Sequence, residues 1–474
     1  MQYNSIIFFI FIIASVLVYY ITPVKYRNHF LLIINYAFYS YFDYLLTFLL
    51  IGITSVNYFL GEAVRNSGTD EAKKTYVVLG VVFNILILGF FKYFNFFIES
   101  ARSFVNILGW NINLDTLNII LPLGISFYIF QTLTFIFDNY YEFIEGKYTF
   151  FEFAVFASFF PTVVAGPIER ASRLLPQIKN DRQFSTENIK RGFALITTGM
   201  IRKVIIADSC GSIINHIFAD PAYYKSIEVL IAVLLFTIQV YNDFAGYSSI
   251  SRGVGMLFGF DIMINFKQPY FANSVSDFWR RWHISLSTWL RDYLFKPLQI
   301  KFRDLGNWGN ALAIMITFIL CGLWHGASWN FIIWGFLHGF FMSFAIMNKK
   351  FKDKLKSLIT SPPVLNLLQV ISTLFLVTLA NVFFRTTDIN HASQIFGQIF
   401  SFSNSEFAFR FIKIFLAYSI VSFAFDYFEK RYNSDYFLAY IPAPIKYGFI
   451  ISSWFLIFLL IFSSDKLPFL YGQF

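Results

Sequence analysis

The sequence predicts an all-α, polytopic membrane protein, and three observations carry that prediction. Hydrophobic residues make up 57% and charged residues 14% of the 474 positions, whereas a soluble domain carries about 25% charge. The charges gather in short segments between long apolar runs. Most of those runs approach the roughly 20 residues an apolar helix needs to cross a bilayer, and the chain has room for about 10–12 crossings with connecting loops.

Taken in order, the first run is 5–22. No Lys or Arg precedes it and no small-residue cleavage site follows, so it reads as a first span rather than a removed signal peptide. Runs at 30–50, 75–91 and 116–137 come next. The stretch 153–168 contains Pro161 and the triplet Ala165-Gly166-Pro167. It is expected to be kinked or re-entrant, which is tolerated only where protein or water satisfies the freed backbone groups.

Runs at 192–207 and 228–242 lead into 239–251, which places Gln239, Asn242 and Asp243 in apolar surroundings. Polar side chains there are expensive, so Asn242 and Asp243 are expected to line an interior cavity. In 277–295, Phe278, Trp282, Leu286, Trp289, Leu290 and Tyr293 form one stripe at helical spacing. Arg280, Ser287, Thr288 and Arg291 take the other face, and Ser276 with Asp277 supplies a start signal. That pattern predicts one amphipathic helix lying at the membrane interface.

From 305 to 348 no residue carries a formal charge, enough for two spans of ~20 residues in a hairpin. Runs at 366–384, 414–425 and 446–464 complete the set. With no internal repeat and no low-complexity linker, residues 1–474 are expected to form a single domain.

The formal charge of +9 would suggest nucleic acid for a soluble chain, but no basic patch sits on a reading module. The excess lies instead in loops: six Lys/Arg against three acids in 169–191, seven against three in 265–304, and five Lys against one Asp in 349–356. Short basic loops mark the cytosolic side, and an even number of crossings between them lets all three share it. Cys210 and Cys321 are too few for a disulfide framework and leave the redox compartment open.

Of the six histidines, His325 lies within the uncharged hairpin, in GLWHGASWN. A neutral imidazole there suits proton abstraction from a hydroxyl or thiol. It equally suits helix packing against a neighbouring hydroxyl. Trp324, Trp329 and Asn330 beside it are expected to line a passage, as are Arg280 and Arg291. His283 by itself reads as an interfacial histidine beside Arg280 and Arg281. Cys321 and His325 stand one turn apart without a third ligand nearby, so no metal is expected.

The motifs DFWRRWHISLSTWLRDYLFKPL (277–298) and GLWHGASWNFIIWG (322–335) together resemble the membrane-bound O-acyltransferase (MBOAT) family. The resemblance extends to LPLGISFYIFQTLTFIFD (121–138), SFFPTVVAGPIERASRLLPQI (158–178) and VYNDFAGYSSISRGVGMLFGF (240–260), and is narrowest to the bacterial branch that acetylates cell-envelope polysaccharides. It implies the MBOAT fold and a multi-pass location in the bacterial cytoplasmic (inner) membrane.

The resemblance further implies acetyl transfer from a cytosolic thioester, acetyl-CoA as the expected donor, with no bound cofactor. Peptidoglycan or an alginate-like polysaccharide is the implied acceptor, and an extracytoplasmic acetyltransferase the implied partner. The family's catalytic histidine falls on His325 and its second histidine on His283. The ending PFLYGQF resembles a Phe-Ile-Tyr-x-x-Phe ending of related transferases, departing at Gly472. It makes Tyr471 either an acyl relay or an interfacial anchor. A D-alanyl transferase for teichoic acid remains an alternative within the class. A transporter or flippase fits the composition, but not the missing repeat of broken helices.

Overall fold

The computed structural model describes residues 1–110, 115–463 and 469–470, and among them every regular element is helical. The first elements are α1 (Ile6–Ile21), α2 (Arg27–Ser40), α3 (Tyr44–Asn66), α4 (Asp70–Leu88), α5 (Phe94–Ile107) and α6 (Ile125–Tyr140). The short helices α7 (Phe150–Ala157), α8 (Phe160–Val163) and α9 (Ala171–Lys179) lead to α10 (Thr186–Met200), α11 (Ser209–Ala219) and the long α12 (Ser226–Leu257).

Three short segments follow, α13 (Val275–Arg281), α14 (Ile284–Leu290) and α15 (Lys296–Lys301), and then the hairpin α16 (Gly306–His325) and α17 (Trp329–Met347). The chain continues with α18 (Lys349–Ser357), α19 (Pro362–Arg385), α20 (Ile389–Ile399), α21 (Ala408–Tyr432) and α22 (Ala443–Ser463). π-Helical turns at Gly89–Tyr93, Ile201–Asp208 and Arg291–Phe295 interrupt this pattern.

Among the described residues, eight helical stretches are long and apolar enough to cross a membrane. They are fewer than the ten to twelve runs suggested, because α1, α2 and α6 reach only 14 to 16 residues. Apolar side chains on α21 and α22 are largely exposed, with 17% of each best window buried, as lipid-facing helices require, whereas α12 is 89% buried.

The chain divides into two compact units. The first comprises Met1–Ile196 with Ser251–Met263, the second Thr197–Ile250 with Ile264–Phe474. In the first unit the proline-broken segment at α7–α8 is buried, and neighbouring side chains satisfy the backbone groups it frees. Tyr3 donates its hydroxyl to the Pro161 carbonyl at 2.9 Å, Gln131 Nε2 donates to the Phe156 carbonyl at 2.6 Å, and Asn35 Oδ1 accepts from the Phe160 N–H at 3.1 Å. That is how irregular backbone survives away from water. A reciprocal pair of buried amides, Asn57 and Asn84, joins α3 to α4.

The second unit holds every candidate residue named above except Tyr471, which lies outside the described residues. Its hairpin closes through small residues: a methyl group on Gly322 would overlap the Phe331 carbonyl, and one on Gly335 the Phe318 carbonyl. Only glycine lets the two helix backbones approach so closely.

Candidate active site

The interfacial segment is not one helix. Ser274, rather than Ser276, caps α13 by accepting from the Asp277 N–H at 3.1 Å. The run then breaks at Trp282–His283, where His283 adopts a left-handed conformation with φ of 42°. A non-glycine residue holds that conformation only when its surroundings enforce it. Here Asn265 does so. Its Oδ1 accepts from the Ser285 hydroxyl at 2.6 Å and from the Ser285 N–H at 3.2 Å, and its carbonyl accepts from the Ile284 N–H at 2.9 Å. Asn265 Nδ2 in turn donates to Ser248 Oγ at 3.1 Å.

The break turns the His283 ring inward, where it is fully buried, with Nδ1 3.4 Å from Asn265 Oδ1 and the Phe244 ring edge-on at 4.6 Å. Burial pushes its pKa down to about 3, so the imidazole is neutral near pH 7.

His325 is the last residue of α16 and is 3% exposed. Trp324 lies 4.9 Å from it and Trp334 4.9 Å, the latter ring perpendicular at 87°, with Phe384 at 5.3 Å. The Trp324 ring also lies 6.1 Å from His283, so one indole contacts both histidines. Asn330 fixes the turn: its Nδ2 donates to the Thr386 carbonyl at 3.0 Å and hydroxyl at 2.9 Å, joining the start of α17 to the end of α19. Trp329, after the turn at Gly326, is 54% exposed, while Trp324 stays buried.

Below the histidines, toward the open ends of the hairpin, lies a cavity of 420 Å³. Ile314 and Phe318 of α16 and Met342 and Ile346 of α17 form its apolar side. Arg280 and Arg291 edge it from the interfacial segment, their side chains 70% and 56% exposed. The volume falls within the range of about 300–1,000 Å³ that small-molecule sites occupy. Trp279 closes its inner wall, 5.7 Å from the Trp334 ring that touches His325.

Asn242 and Asp243 are buried as expected, and both are tied into polar pairs. Asp243 Oδ1 accepts from Lys203 Nζ at 2.7 Å, and Asn242 Nδ2 donates to Ser422 Oγ at 2.8 Å. Charge neutralisation inside an apolar bundle favours such pairing over solvent contact. Asp243 Oδ2 also accepts from the Leu470 N–H at 2.9 Å, and Phe469 stacks on Tyr247 at 4.2 Å. Among the described residues no three His, Cys, Asp or Glu side chains come together as a metal site. Asn265, Lys203 and His338 were not singled out by the sequence.

Membrane-length helices enclosing buried histidines beside an apolar, arginine-edged cavity describe an integral membrane protein with a candidate interior site. Residues 31–385 match the model of the membrane-bound O-acyltransferase family, MBOAT. The chain belongs to that family and is a multi-pass membrane acyltransferase. It is 36% identical to a probable alginate O-acetylase of Pseudomonas aeruginosa over 84% of this chain and 74% of that protein. It is 31% identical to a peptidoglycan O-acetyltransferase of Helicobacter pylori over 77% and 72%. It is also 29% identical to a teichoic acid D-alanyltransferase of Bacillus subtilis, over 50% of this chain and 62% of that protein.

Proposed function

We propose that this enzyme transfers an acetyl group from acetyl-CoA toward a cell-envelope polysaccharide of the alginate or peptidoglycan kind. The observation that carries the reading is the placement of His325, buried at the hairpin tip, two ring contacts from the wall of an apolar cavity edged by arginines. The cavity is suited to the pantetheine arm and acetyl group of the donor. Arg280 and Arg291 at its edge are suited to the phosphates.

In this scheme His325 takes the proton of an acceptor hydroxyl as the oxygen attacks the thioester carbonyl carbon. The C–O bond forms, the C–S bond breaks, and the departing thiolate takes up a proton. His283, one indole away, orients the carbonyl. In this reading the cavity opens on the cytosolic face of the cytoplasmic membrane with His325 farther across, which the basic loops support. An extracytoplasmic acetyltransferase then completes the transfer to the polymer. The O-acetyl reading is preferred to D-alanyl transfer because the O-acetylating relatives match most of both chains, the D-alanylating one about half.

Tyr471 is proposed as an intermediate acyl carrier. What supports this is that Leu470, its neighbour in the chain, is bound to Asp243, and that Phe469 lies 5.7 Å from Phe244, the ring packed on His283. Purified protein given radiolabelled acetyl-CoA tests the scheme. His325→Ala is expected to abolish transfer, and near-normal transfer by a folded His325→Ala protein would overturn the assignment. Acetyl found on Tyr471 by mass spectrometry supports the relay, and its absence from donor-loaded, acceptor-free enzyme removes it.

A further inference from the structure

We propose that His338 is a positioning residue that ties the cavity wall at Trp279 to the ring edge of His325. It rests on the reading of His325 as the base, and it concerns a histidine that reading does not use.

His338 is 1% exposed on α17, one turn after Trp334. Its Nδ1 accepts a hydrogen bond from Trp279 Nε1 at 3.2 Å. An indole N–H can only donate, so the Nδ1 of the neutral ring is the acceptor and the ring proton sits on Nε2. The bond is the polar contact that fixes Trp279, and Trp279 is the cavity's inner wall. On its other side His338 meets Trp334 at 4.8 Å, and Trp334 stands perpendicular to His325 at 4.9 Å. Phe278 and Phe318 pack on the His338 ring at 6.3 and 6.4 Å.

The rings thus form an unbroken series from cavity to base: Trp279, His338, Trp334, His325. The void beside it, lined by Trp334, His338 and Phe384, measures 10 Å³. That is about the size of one water molecule, so the rings have little room to turn independently. Close-packed aromatic contacts transmit a displacement rather than absorb it. Loss of the acceptor would strand the buried Trp279 N–H and let that ring rotate. Trp334 and His325 would then lose the geometry that sets the base against the acetyl group.

The test compares His338→Leu, His338→Asn and Trp279→Phe in acetyl transfer from acetyl-CoA. Asn carries an oxygen from the same Cβ to about the place of Nδ1, so it keeps the acceptor. Leu removes it, and Trp279→Phe removes the donor if the Leu variant does not fold. Misplacing a base lowers kcat by about ten- to a hundredfold with little change in KM. That is the expected result for His338→Leu, with His338→Asn recovering to within about threefold of the native rate; Trp279→Phe, which also reshapes the cavity wall, should show the same fall in kcat with KM free to change. The double variant Trp279→Phe/His338→Leu should be no slower than the worse single one, since both break the same link.

The proposal is overturned if His338→Leu turns over normally, if His338→Asn is as slow as His338→Leu, or if the two losses multiply. A parallel His325→Ala arm separates the readings. Activity retained there refutes the base assignment itself, whereas loss there with normal His338→Leu turnover refutes only the coupling.

Discussion

Lys203 Nζ lies 2.7 Å from Asp243 Oδ1, and both side chains are buried, at 4% and 2% exposure. Lys203 also meets Asp208 at 2.7 Å, while the adjacent Arg202 pairs with Asp426 at 2.8 Å and Glu429 at 2.9 Å. Consecutive residues of an α-helix point about 100° apart. The π-helical turn Ile201–Asp208 instead accompanies two neighbouring cations that are both turned inward. Stripping a buried charge of every partner costs about 3–5 kcal/mol, and in Asp243→Ala Lys203 keeps Asp208 as its remaining counter-charge, so a smaller cost is expected. Asp243→Ala is therefore expected to lower the thermal midpoint in detergent by a few degrees. Lys203→Met/Asp243→Ala should recover part of that loss, and a double variant no better than Asp243→Ala would refute the pairing argument.

The His283 ring is buried and its pKa is pushed from the ordinary 6.5 down to about 3. Between those values the unfolded chain binds a proton that the folded site refuses, so stability is lost as pH falls from 6.5 toward 3. The slope from this group is about 1.4 kcal/mol per pH unit. His283→Gln removes the titrating group while keeping a polar side chain. Its thermal midpoint should depend less on pH between 7 and 5 than that of the native protein; equal dependence would refute the linkage.

Arg280 and Arg291 edge the cavity but remain largely exposed. Exposed charges act weakly, about 0.2–1 kcal/mol each. Arg280→Gln/Arg291→Gln is therefore expected to raise KM for acetyl-CoA about two- to tenfold with kcat preserved. The native KM should rise with salt, and the variant's should rise less. An unchanged KM would place the donor elsewhere.

Gly322 and Gly335 sit where the hairpin backbones touch. Either glycine replaced by alanine forces the helices apart, an overpacking cost of about 1–3 kcal/mol. Gly397→Ala, inside α20 with nothing within 4 Å of the added methyl, is the control that should leave stability unchanged or raise it by up to about 1 kcal/mol. Thermal unfolding of the three variants makes the comparison.

The amino-acid sequence by itself determined the all-helical membrane architecture, the hairpin over 305–348, the proline-broken stretch over 153–168 and the buried position of His325. Each follows from apolar run length, periodicity, or the φ restriction and lost N–H of proline, which act within one or two turns of the residue concerned. Tertiary structure alone decided which side chains meet. His338 finds Trp279 across 59 positions, and Leu470 reaches Asp243 across 227. It also left Trp329 exposed, paired Asp243 with Lys203, and broke the interfacial helix at His283 through Asn265. The reason is the range of the forces. Backbone preference and hydrophobic periodicity are written locally, whereas a buried polar atom is satisfied by whichever partner packing brings within 3 Å or so, and that partner can come from anywhere in the chain.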